Sequence, residues 1–521
     1  MTERSSTGAA RPVAWTIAGT DSGAGAGIHA DARAFDAFDV HGACAVAAIT
    51  AQNSVAVERV EPVTPDLLDA QLTALAADMP PDAVKTGLLG SVENVRVVTT
   101  WVKRLRAAGR PVPLVVDPVF GATTGAPFAD DLLRIAYRDE LLPLATLATP
   151  NVREAQALVG GHSDIPALAR AWREFGAKAV VVTGGDEDPA SPVACDWLES
   201  GHALPCGGWL TLPRIATRHH HGTGCTFAAT ATAALAHGFV AADAAVLAKM
   251  STAEALRHGW AAGAGAGPVG ARPGFARHFE NLPTLSAERT LHVGPAFMAM
   301  PPDKLGLYAV VDSADWVARV VAAGVRLVQL RIKSGSPHDL VPQIRAALAF
   351  AEDAGATLIV NDHWQLALEL GAHGVHLGQD DLAGADIVGL RSAGMLLGVS
   401  THSYWEVSRA CALRPSYIAC GPVHATQLKE MPWIPQGNRN VAYWSALLAP
   451  TPVVAIGGMD AARARAAMCA GASSVAVVGA ITRSPDPEAA IAELCDAIEA
   501  GRRGCLEAPA PGWASSTLAP A

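Results

Sequence analysis

The chain has 521 residues, of which 50% are hydrophobic and 17% are charged, and its formal net charge is −10. This composition excludes intrinsic disorder, which requires low hydrophobicity with high net charge, and general nucleic-acid binding, which requires clustered Lys and Arg. The most apolar stretch, 227–246, contains His237 and Asp243, so it favours two buried helices over a membrane span. We therefore expect small-molecule partners, with neither a nucleic acid nor a membrane among them.

The nine cysteines include no Cys-x-x-Cys pair, which argues against a zinc site or a disulfide framework. Free thiols are typical of a reducing compartment, and the polar segment 1–7 does not resemble a secretory signal. We expect a cytoplasmic protein. The sequence is compatible with a homo-oligomer but does not show the oligomeric state.

The first half of the chain alternates short apolar runs with helix-like segments. The predicted strands are Val13–Ala18, Ala83–Lys85, Leu114–Val116, Leu147–Thr149 and Ala179–Thr183. This alternation predicts an α/β domain with a largely parallel sheet, whose functional loops lie at the carboxyl ends of the strands.

Polar and glycine-rich segments follow these strands. The glycines of 19–27 let the backbone approach a ligand, and Gly222 and Gly224 begin a helix whose first N–H groups can bind an anion. No Lys follows them, so this is not a Walker A loop. Cys225, at the helix start, is either a thiol of lowered pKa or a small buried hydrophobe. Asn151 and Glu154 can face one Mg²⁺ water shell, and Asn151 can also cap a helix.

Five segments together carry a resemblance to a known family. They are Thr16-Ile-Ala-Gly-Thr-Asp-Ser-Gly-Ala-Gly-Ala-Gly27, Ala47-Ala-Ile-Thr-Ala-Gln-Asn53, Lys85-Thr-Gly-Leu-Leu89, Val116-Asp-Pro-Val119 and His221-Gly-Thr-Gly-Cys-Thr226. In this order they resemble the ribokinase-like superfamily, and more closely the hydroxymethylpyrimidine and phosphomethylpyrimidine kinases of thiamine synthesis. Departures from the family pattern are His29, where Gln is common, and Thr183-Gly-Gly185, where Lys-Gly-Gly is common.

This resemblance implies a three-layer α/β/α domain that uses ATP as co-substrate with Mg²⁺. It implies that Gln52 reads the aminopyrimidine and that Gly19 and Asp31 line the pocket. It also implies that Cys225 is the catalytic base. The ATP and Mg²⁺ region is assigned to Asn151, Glu154, Gly222 and Gly224.

A Gly-, Ala- and Pro-rich region separates the two halves. We place the first domain at 12–285, a partly stiff linker at 286–303, a second domain at 304–502 and a disordered tail at 503–521. The second domain contains eight strand-like runs with helical stretches between them, which predicts a (β/α)8 TIM barrel. The runs are Gly306–Val311, Leu327–Arg331, Thr357–Asn361, Gly374–Leu377, Leu396–Ser400, Tyr417–Gly421, Val453–Ile456 and Ser474–Val478.

Charged residues and glycines lie at the ends of these runs. Gln329, Arg331 and Lys333 alternate, so on an extended strand they point to one side, where two cations suit a diphosphate. Carboxylates near the third and fourth strand ends suit Mg²⁺, although Asp380-Asp381 can also be a helix N-cap. Glycines after the seventh and eighth strands are typical of the phosphate site of such barrels.

The motifs Gln-Leu-Arg-x-Lys, Asn-Asp, His-x-Gly-Gln-x-Asp, Gly-Val-Ser, Gly-Pro-Val and Ile-Gly-Gly occur in order over about 305–500 and resemble thiamine phosphate synthase. The resemblance implies that Asp362 and Asp381 bind Mg²⁺. It implies that the pyrimidine diphosphate is held by Gln329, Leu330, Arg331, Ile332, Lys333, Asn361, Ser400 and Lys429. It implies that thiazole phosphate is held by Thr426, Gln427, Leu428, Gly458, Val478 and Gly479. His424, Ala425, Leu428 and Gly479 depart from the common pattern.

Together the two resemblances imply that the first half makes a pyrimidine diphosphate and the second half condenses it with thiazole phosphate. One alternative is a pyridoxal-type kinase fused to a thiazole tautomerase-like barrel. Another is a ligand-sensing protein with inactive sites, against which the intact Cys225, Asp362 and Asp381 argue. A metal site at His219-His220-His221 is disfavoured because consecutive side chains diverge.

Overall fold

The computed structural model describes residues 11–121, 128–160, 164–185, 187–425, 432–504 and 511–518. The chain divides into two compact units, and the boundary between Leu291 and His292 lies inside the predicted linker.

The first unit is built on one sheet. Its strands are β1 Val13–Gly19, β2 His41–Gln52, β3 Val57–Pro62, β4 Ala83–Thr86, β5 Leu114–Val116, β6 Leu147–Ala148, β7 Ala179–Thr183, β8 Val193–Ser200, β9 Cys206–Pro213 and β10 Thr284–Ser286. Within the described residues their order is β10-β9-β8-β7-β6-β5-β4-β1-β2-β3. The central strands β2-β1-β4-β5-β6-β7 run parallel, and the flanking strands pair antiparallel.

Helices cover both faces of this sheet. They are α1 Gly27–Ala37, α2 Pro65–Asp78, α3 Val92–Ala107, α4 Asp131–Ala136, α5 Val152–Val159, α6 Ile165–Glu174, α7 Thr223–Ala236 and α8 Ala241–Arg257. Helices α1, α7 and α8 pack together on one side, while α2 and α3 pack over a core that includes Trp15, Val98 and Leu114. The predicted three-layer α/β/α fold is confirmed. The predicted parallel strands are all present, but β2 is an addition, because its Ala-rich sequence has low strand propensity.

The second unit is a closed barrel. Its parallel strands are β11 Leu307–Val311, β12 Leu327–Leu330, β13 Thr357–Asn361, β14 Gly374–Leu377, β15 Leu396–Thr401, β16 Tyr417–Cys420, β17 Val453–Ile456 and β18 Ser474–Val477. Its helices are α9 Ala314–Ala322, α10 Pro337–Asp353, α11 Trp364–Glu369, α12 Ile387–Ser392, α13 Tyr404–Leu413, α14 Gly437–Leu448, α15 Ala461–Cys469, α16 Gly479–Thr482 and α17 Pro487–Arg503. The predicted TIM barrel is confirmed, because apolar runs of this length bounded by glycine and polar residues are buried parallel strands.

Two predictions about the connecting segments are wrong in part. The second portion of the expected linker packs on the barrel: the amides of Val293 and Phe297 donate to the carbonyls of Ala412 and Arg414, and Phe297 is buried. The expected disordered tail contains residues 511–518, which also pack on the barrel, because their apolar side chains and backbone groups find partners there.

The described cysteines are mostly thiols, and Cys469 is the exception. Cys44, Cys195, Cys206, Cys225, Cys411, Cys420 and Cys495 are not in disulfides. Cys469 is in a disulfide, which contradicts the expectation of free thiols throughout. In the part of the chain that is described, no helix is both long and apolar enough to cross a membrane.

Candidate active sites of the two units

Three loops of the first unit meet at the carboxyl end of its sheet. A Cβ at Gly25 would collide with the His221 ring, and one at Gly222, which has φ +86°, would collide with the Gly25 carbonyl. Only glycine permits this close approach. Ser22 Oγ donates to the Gln52 carbonyl at 2.7 Å, which joins the first loop to the end of β2. The sequence-predicted Gly-rich turn, Gln52 and the start of α7 therefore share one site.

A buried carboxylate organises the Gly-rich turn. Asp21 accepts hydrogen bonds from the amides of Gly23 and Ala26, each at 2.8 Å, and His221 Nε2 lies 2.9 Å from its Oδ2. Burial raises the pKa of the Asp21 carboxyl, but the bonds from His221 and the two amides outweigh it, so the pKa is lowered. The Gln52 amide nitrogen lies 3.4 Å from His221 Nε2, which places the Gln52 side chain beside this pair. Asp21 and His221 belong to the recognised motifs, although no role was predicted for either residue.

A fully buried cation lies beneath the same site. Lys85 Nζ donates to both Asp31 oxygens at 2.9 Å and lies 3.5 Å from Asp117 Oδ2. Thr16 Oγ1 also donates to Asp31, at 2.6 Å. Burial lowers the pKa of Lys85, but the charges of Asp31 and Asp117 raise this pKa by more than burial lowers it. The ammonium therefore stays charged. Asp31, assigned to the pocket lining, is 0% exposed and acts as the counter-ion of Lys85. Sequence analysis assigned no role to Lys85 or Asp117. Their position as charged residues at the ends of β4 and β5 is the pattern that could have identified them.

Cys225 lies at the N-terminus of α7, as predicted, but its pKa is not lowered. Burial raises the pKa of the thiol to about 12, with Asp31 and Asp117 adding to the rise and Lys85 opposing it. The predicted lowering is therefore wrong, because desolvation and two carboxylates outweigh the helix terminus. The thiol of Cys225 is protonated at neutral pH in the protein without ligands.

The other glycines assigned to the first unit differ in the space around them. A Cβ at Gly19 would lie 3.1 Å from Leu88 Cδ2, so the backbone there is closely packed. Gly224, in the first turn of α7, is exposed, and a Cβ there would meet open space among the described atoms. Gly224 thus leaves the helix start open on the side where an anion would bind.

Asn151 and Glu154 form a capping box at the start of α5. The Asn151 amide donates to Glu154 Oε2 at 2.8 Å, and the Glu154 amide donates to Asn151 Oδ1 at 2.9 Å. The capping interpretation is therefore confirmed. Burial, together with the nearby charge of Asp117, raises the pKa of Glu154 to about 8. A carboxyl held neutral beside another carboxylate would ionise readily if a cation bound between them.

We predict that Glu154→Gln makes the stability of the first unit less dependent on pH. A raised carboxyl pKa contributes stability at low pH that is lost as pH rises from about 4.5 to about 8, because the folded state holds the proton more tightly. Gln keeps the capping contact and cannot ionise. The free energy of unfolding, measured in urea with EDTA across this window, should fall less in the variant than in the wild type. Parallel slopes would contradict the raised pKa.

The residues predicted to bind the diphosphate lie at the end of β12. Gln329 is buried inside the barrel, Arg331 is half-buried and Lys333 is exposed. The strand ends at Leu330, one residue earlier than predicted, but the Arg331 amide still donates to the Val311 carbonyl at 2.7 Å. Leu330 and Ile332 alternate with these residues, so their contribution to a ligand on the same side is through the backbone.

Two carboxylates lie together at the ends of β13 and β14. Partial desolvation raises the pKa of Asp362, and the charge of Asp381 and a hydrogen bond with it raise the pKa further, while Arg331 and Asn361 oppose the shift. Asp381 Oδ2 accepts from the Gly378 amide at 3.2 Å. Two mutually repelling carboxylates fit a hard divalent cation that keeps water or phosphate oxygens as its other ligands. The described residues contain no cluster of three or more His, Cys, Asp or Glu that could hold a metal ion.

A chain of buried polar side chains crosses the barrel interior. Gln329 Nε2 donates to Tyr308 OH at 3.0 Å, Tyr308 OH lies 2.8 Å from Tyr417 OH, and Tyr417 OH lies 3.0 Å from His376 Nδ1. His376 Nε2 then lies 2.8 Å from Ser400 Oγ. Burial lowers the pKa of His376 to about 4, so the ring is neutral. A neutral ring carries one N–H, so the tautomer of His376 sets whether the Ser400 hydroxyl donates to the ring or accepts from it and can donate to a ligand. The motifs supplied Gln329, His376 and Ser400 but not the two tyrosines.

The glycines after β17 and β18 have different surroundings. Gly458 has φ +66°, and a Cβ there would lie 2.6 Å from the Ala425 carbonyl oxygen. Gly479 begins α16 after Val478, and a Cβ there would meet only Arg483, at 3.7 Å. Gly458 is therefore required for the loop itself. Thr426, Gln427, Leu428 and Lys429 lie outside the described residues.

We predict that Gly458→Ala impairs condensation while Gly479→Ala is tolerated. The first substitution strains a left-handed backbone and displaces the loop after β16, whereas the second adds an ordinary contact. The KM for thiazole phosphate should rise about tenfold or more in Gly458→Ala, the scale of 1 to 3 kcal/mol of strain, and stay near wild type in Gly479→Ala. Equal effects of the two variants would contradict the distinction.

Comparison with known proteins assigns each unit. The phosphomethylpyrimidine kinase family matches residues 21–270, and the thiamine monophosphate synthase family matches residues 307–481. The probable thiamine biosynthetic bifunctional enzyme, chloroplastic, of Oryza sativa subsp. japonica is 34% identical over 511 residues, covering 94% of this chain and 89% of the rice chain. The chain belongs to the family of bifunctional thiamine biosynthetic enzymes.

Further relatives cover the enzyme in whole or in part. The chloroplastic thiamine biosynthetic bifunctional enzyme of Arabidopsis thaliana is 32% identical over 492 residues, covering 90% of each chain. The thiamine-phosphate synthase of Serratia proteamaculans is 49% identical over 198 residues, which is 38% of this chain and 93% of that protein. The enzyme therefore combines a phosphomethylpyrimidine kinase-like unit with a thiamine-phosphate synthase unit.

Proposed function

We propose that the first unit phosphorylates hydroxymethylpyrimidine and then its monophosphate at the site between β1, β2 and α7. The convergence of Gln52, the Gly-rich turn and the start of α7 carries this proposal. The Gln52 amide offers a donor and an acceptor to an aminopyrimidine edge. The first N–H groups of α7, near Gly222 and Gly224, stabilise the transferring phosphoryl group of ATP, and phosphoryl transfer needs mainly positioning and charge stabilisation.

Glu154 and Asp117 are the residues that would hold Mg²⁺ with ATP in this unit. The charge of Asp117 raises the pKa of Glu154, and among the described residues Asp117 Oδ2 has no hydrogen-bond partner, its nearest cation being the Lys85 ammonium at 3.5 Å. An unsatisfied buried oxygen beside a protonated carboxyl suits a cation that replaces the proton. Bound Mg²⁺ neutralises phosphate charge there.

If Cys225 is the catalytic base, its high pKa predicts that kinase turnover depends on pH. Only the thiolate can accept a proton, and its population rises about tenfold per pH unit below the pKa. Kinase turnover should therefore rise between about pH 7 and pH 9, and Cys225→Ala should lower turnover by ~10²-fold and flatten the profile. Condensation from supplied diphosphate, measured in parallel, should not change. Unaltered phosphorylation in the variant would exclude Cys225 as the base.

We propose that the barrel joins the pyrimidine diphosphate to thiazole phosphate by displacing pyrophosphate. Arg331 and Lys333 bind the leaving diphosphate, whose charge grows as the carbon–oxygen bond breaks, and Asn361 and Ser400 orient the pyrimidine. Gly458 and the Val478-Gly479 amides hold the thiazole phosphate, which does not change covalently. Asp362 and Asp381 would hold Mg²⁺, which neutralises the diphosphate when bound.

The test is a coupled assay with the purified enzyme. ATP, Mg²⁺, hydroxymethylpyrimidine and thiazole phosphate should yield thiamine phosphate, and omission of ATP should abolish it unless pyrimidine diphosphate is supplied. Pyridoxal in place of the pyrimidine tests the competing kinase specificity, and its preferential phosphorylation would contradict the proposal. Removal of Mg²⁺ with EDTA should stop both steps.

Small-molecule substrates alone account for both sites, and we propose no nucleic-acid or membrane partner, in keeping with the net charge of −10. A cytoplasmic location is proposed from the seven cysteines that are not in disulfides, whereas the two plant relatives are named chloroplastic. Fluorescence of a tagged chain in its own cells would distinguish the compartments.

A further inference from the structure

Residues 511–518 form a segment, here called the C-terminal strap, that lies along the barrel close to the predicted substrate loops. Ala514, Thr517 and Leu518 are buried, with 2%, 3% and 6% of their surface exposed. A terminal segment that buries side chains and backbone in this way is tied down by specific contacts.

The strap bonds to the loop that follows β15. Thr517 Oγ1 donates to the His402 carbonyl at 2.6 Å. His402 lies two residues beyond Ser400, and its amide donates to the buried Glu406 carboxylate at 2.6 Å, while its Nδ1 lies 2.8 Å from the same oxygen. The strap therefore supports the loop that begins at His402, two residues after Ser400 near the end of β15.

The strap also bonds to the chain that returns from the β16 loop. The Ile434 amide donates to the Thr517 carbonyl at 2.8 Å, and Trp433 pairs with Leu518 in an antiparallel bridge. The Trp433 ring stacks on His402 at 4.7 Å with an interplanar angle of 1°. Thr517 thus joins the segments that follow two neighbouring strands, through its side chain on one and its backbone on the other.

Buried polar groups fix where the strap lies. Asn440, on α14, is 0% exposed, and its amide donates to the Ser515 carbonyl at 3.1 Å and accepts from the Ser515 amide at 2.7 Å. The Ala514 amide donates to the Tyr404 hydroxyl at 2.9 Å. Buried polar groups are costly to leave unpaired, so Asn440 and Tyr404 favour this one register of the strap.

We propose that the C-terminal strap positions the loop that begins at His402 and the segment Trp433–Ile434 for condensation, with Thr517 as a positioning residue. The inference rests on the proposed condensation in the barrel, with the pyrimidine diphosphate at Ser400 and the thiazole phosphate at Gly458, whose backbone lies against Ala425 after β16. Ordering a loop costs conformational entropy. If the loop is already ordered before the ligand binds, this cost does not weaken the affinity for the ligand. The strap acts on substrate affinity and orientation and touches no reacting atom.

The first experiment compares two truncations of the full-length enzyme. A chain that ends at Ala510 lacks the strap, and a control chain that ends at Leu518 keeps it. The shorter chain should show a KM for pyrimidine diphosphate and thiazole phosphate raised about tenfold or more, the scale of one to two lost hydrogen bonds, with kcat changed less and kinase activity unchanged. A peptide of sequence 511–521 added in trans should lower the KM again.

Point variants of the full-length enzyme test the same proposal if the truncated chain folds poorly. Thr517→Val removes the bond to His402 and should raise the same KM values. Ser515→Ala loses only the exposed bond that its hydroxyl accepts from Arg439, keeps both backbone bonds to Asn440 and should leave KM unchanged. If the full-length enzyme forms no thiamine phosphate, the proposed barrel function fails. If it does, and loss of the strap or of the Thr517 hydroxyl lowers only the unfolding temperature while KM and kcat stay near wild type, the strap is a brace and the inference is overturned.

Discussion

Arg331→Ala should depress turnover of the condensation by ~10²–10³-fold, or about 3 to 4 kcal/mol of barrier, with a smaller change in the KM for thiazole phosphate. Arg331 is half-buried at the carboxyl end of β12, where its charge lowers the pKa of Asp362 and that of His376. A cation in this place stabilises the leaving diphosphate more in the transition state than in the bound substrate, so its removal affects kcat. Steady-state kinetics with both substrates varied measures the effect.

The matched control is Arg326→Ala at the other end of the same strand. Arg326 Nη1 donates to the Val321 and Val325 carbonyls, each at 3.2 Å, and lies just before β12 begins. Its loss should alter stability modestly and leave turnover unchanged. If Arg331→Ala changes only the KM for thiazole phosphate, the two phosphate sites are assigned the wrong way round.

Lys85→Met should destabilise the first unit by about 3 to 5 kcal/mol and abolish phosphorylation. The substitution removes the ion-pair partner of the buried Asp31 and leaves the carboxyl of Asp117 beside it, while Asp31 keeps only the charge of Arg33 and the hydrogen bond from Thr16. The two carboxyls must then stay protonated or lose their burial. Because a raised carboxyl pKa contributes stability that is lost as pH rises, the variant should be most stable near pH ~5 and weaken towards neutrality.

Hydrogen exchange of the amides in β4 and β5, followed by mass spectrometry, measures this loss within the first unit. The double variant Lys85→Met with Asp31→Asn is the control, since it removes one unpaired charge together with the cation. It should recover part of the stability, as expected for residues in one network. No recovery would mean that the packing of the Lys85 side chain, and not the buried charge, stabilises the unit. Condensation should be unaffected in both variants.

The sequence by itself determined the strands and the loops that carry the sites. The barrel strands were predicted to within one residue at each end, because a short apolar run that ends in glycine or a charged residue is a local property of a buried parallel strand. The assignment of Gln52 and Cys225 to one site came from the resemblance to the kinase family, because the strand that ends at Gln52 was not predicted. By contrast, β2 was missed, since its alanines form a strand only through pairing with β1 and β3.

Tertiary structure alone decided the ionisation of these groups and the partners of the buried ones. Lys85 meets Asp31 across 54 residues, and Tyr308 meets Tyr417 across 109, distances along the chain that no local pattern encodes. The thiol of Cys225 was expected to be acidic from its helix position, yet its pKa is about 12, because desolvation by the surrounding layers outweighs the helix terminus. The strap was expected to be disordered from its Ala and Pro content, and it is ordered because Asn440 and His402 offer it partners. Local sequence specifies elements and their chemistry, whereas burial and long-range pairing, which set pKa values and hydrogen-bond direction, arise only when the elements pack.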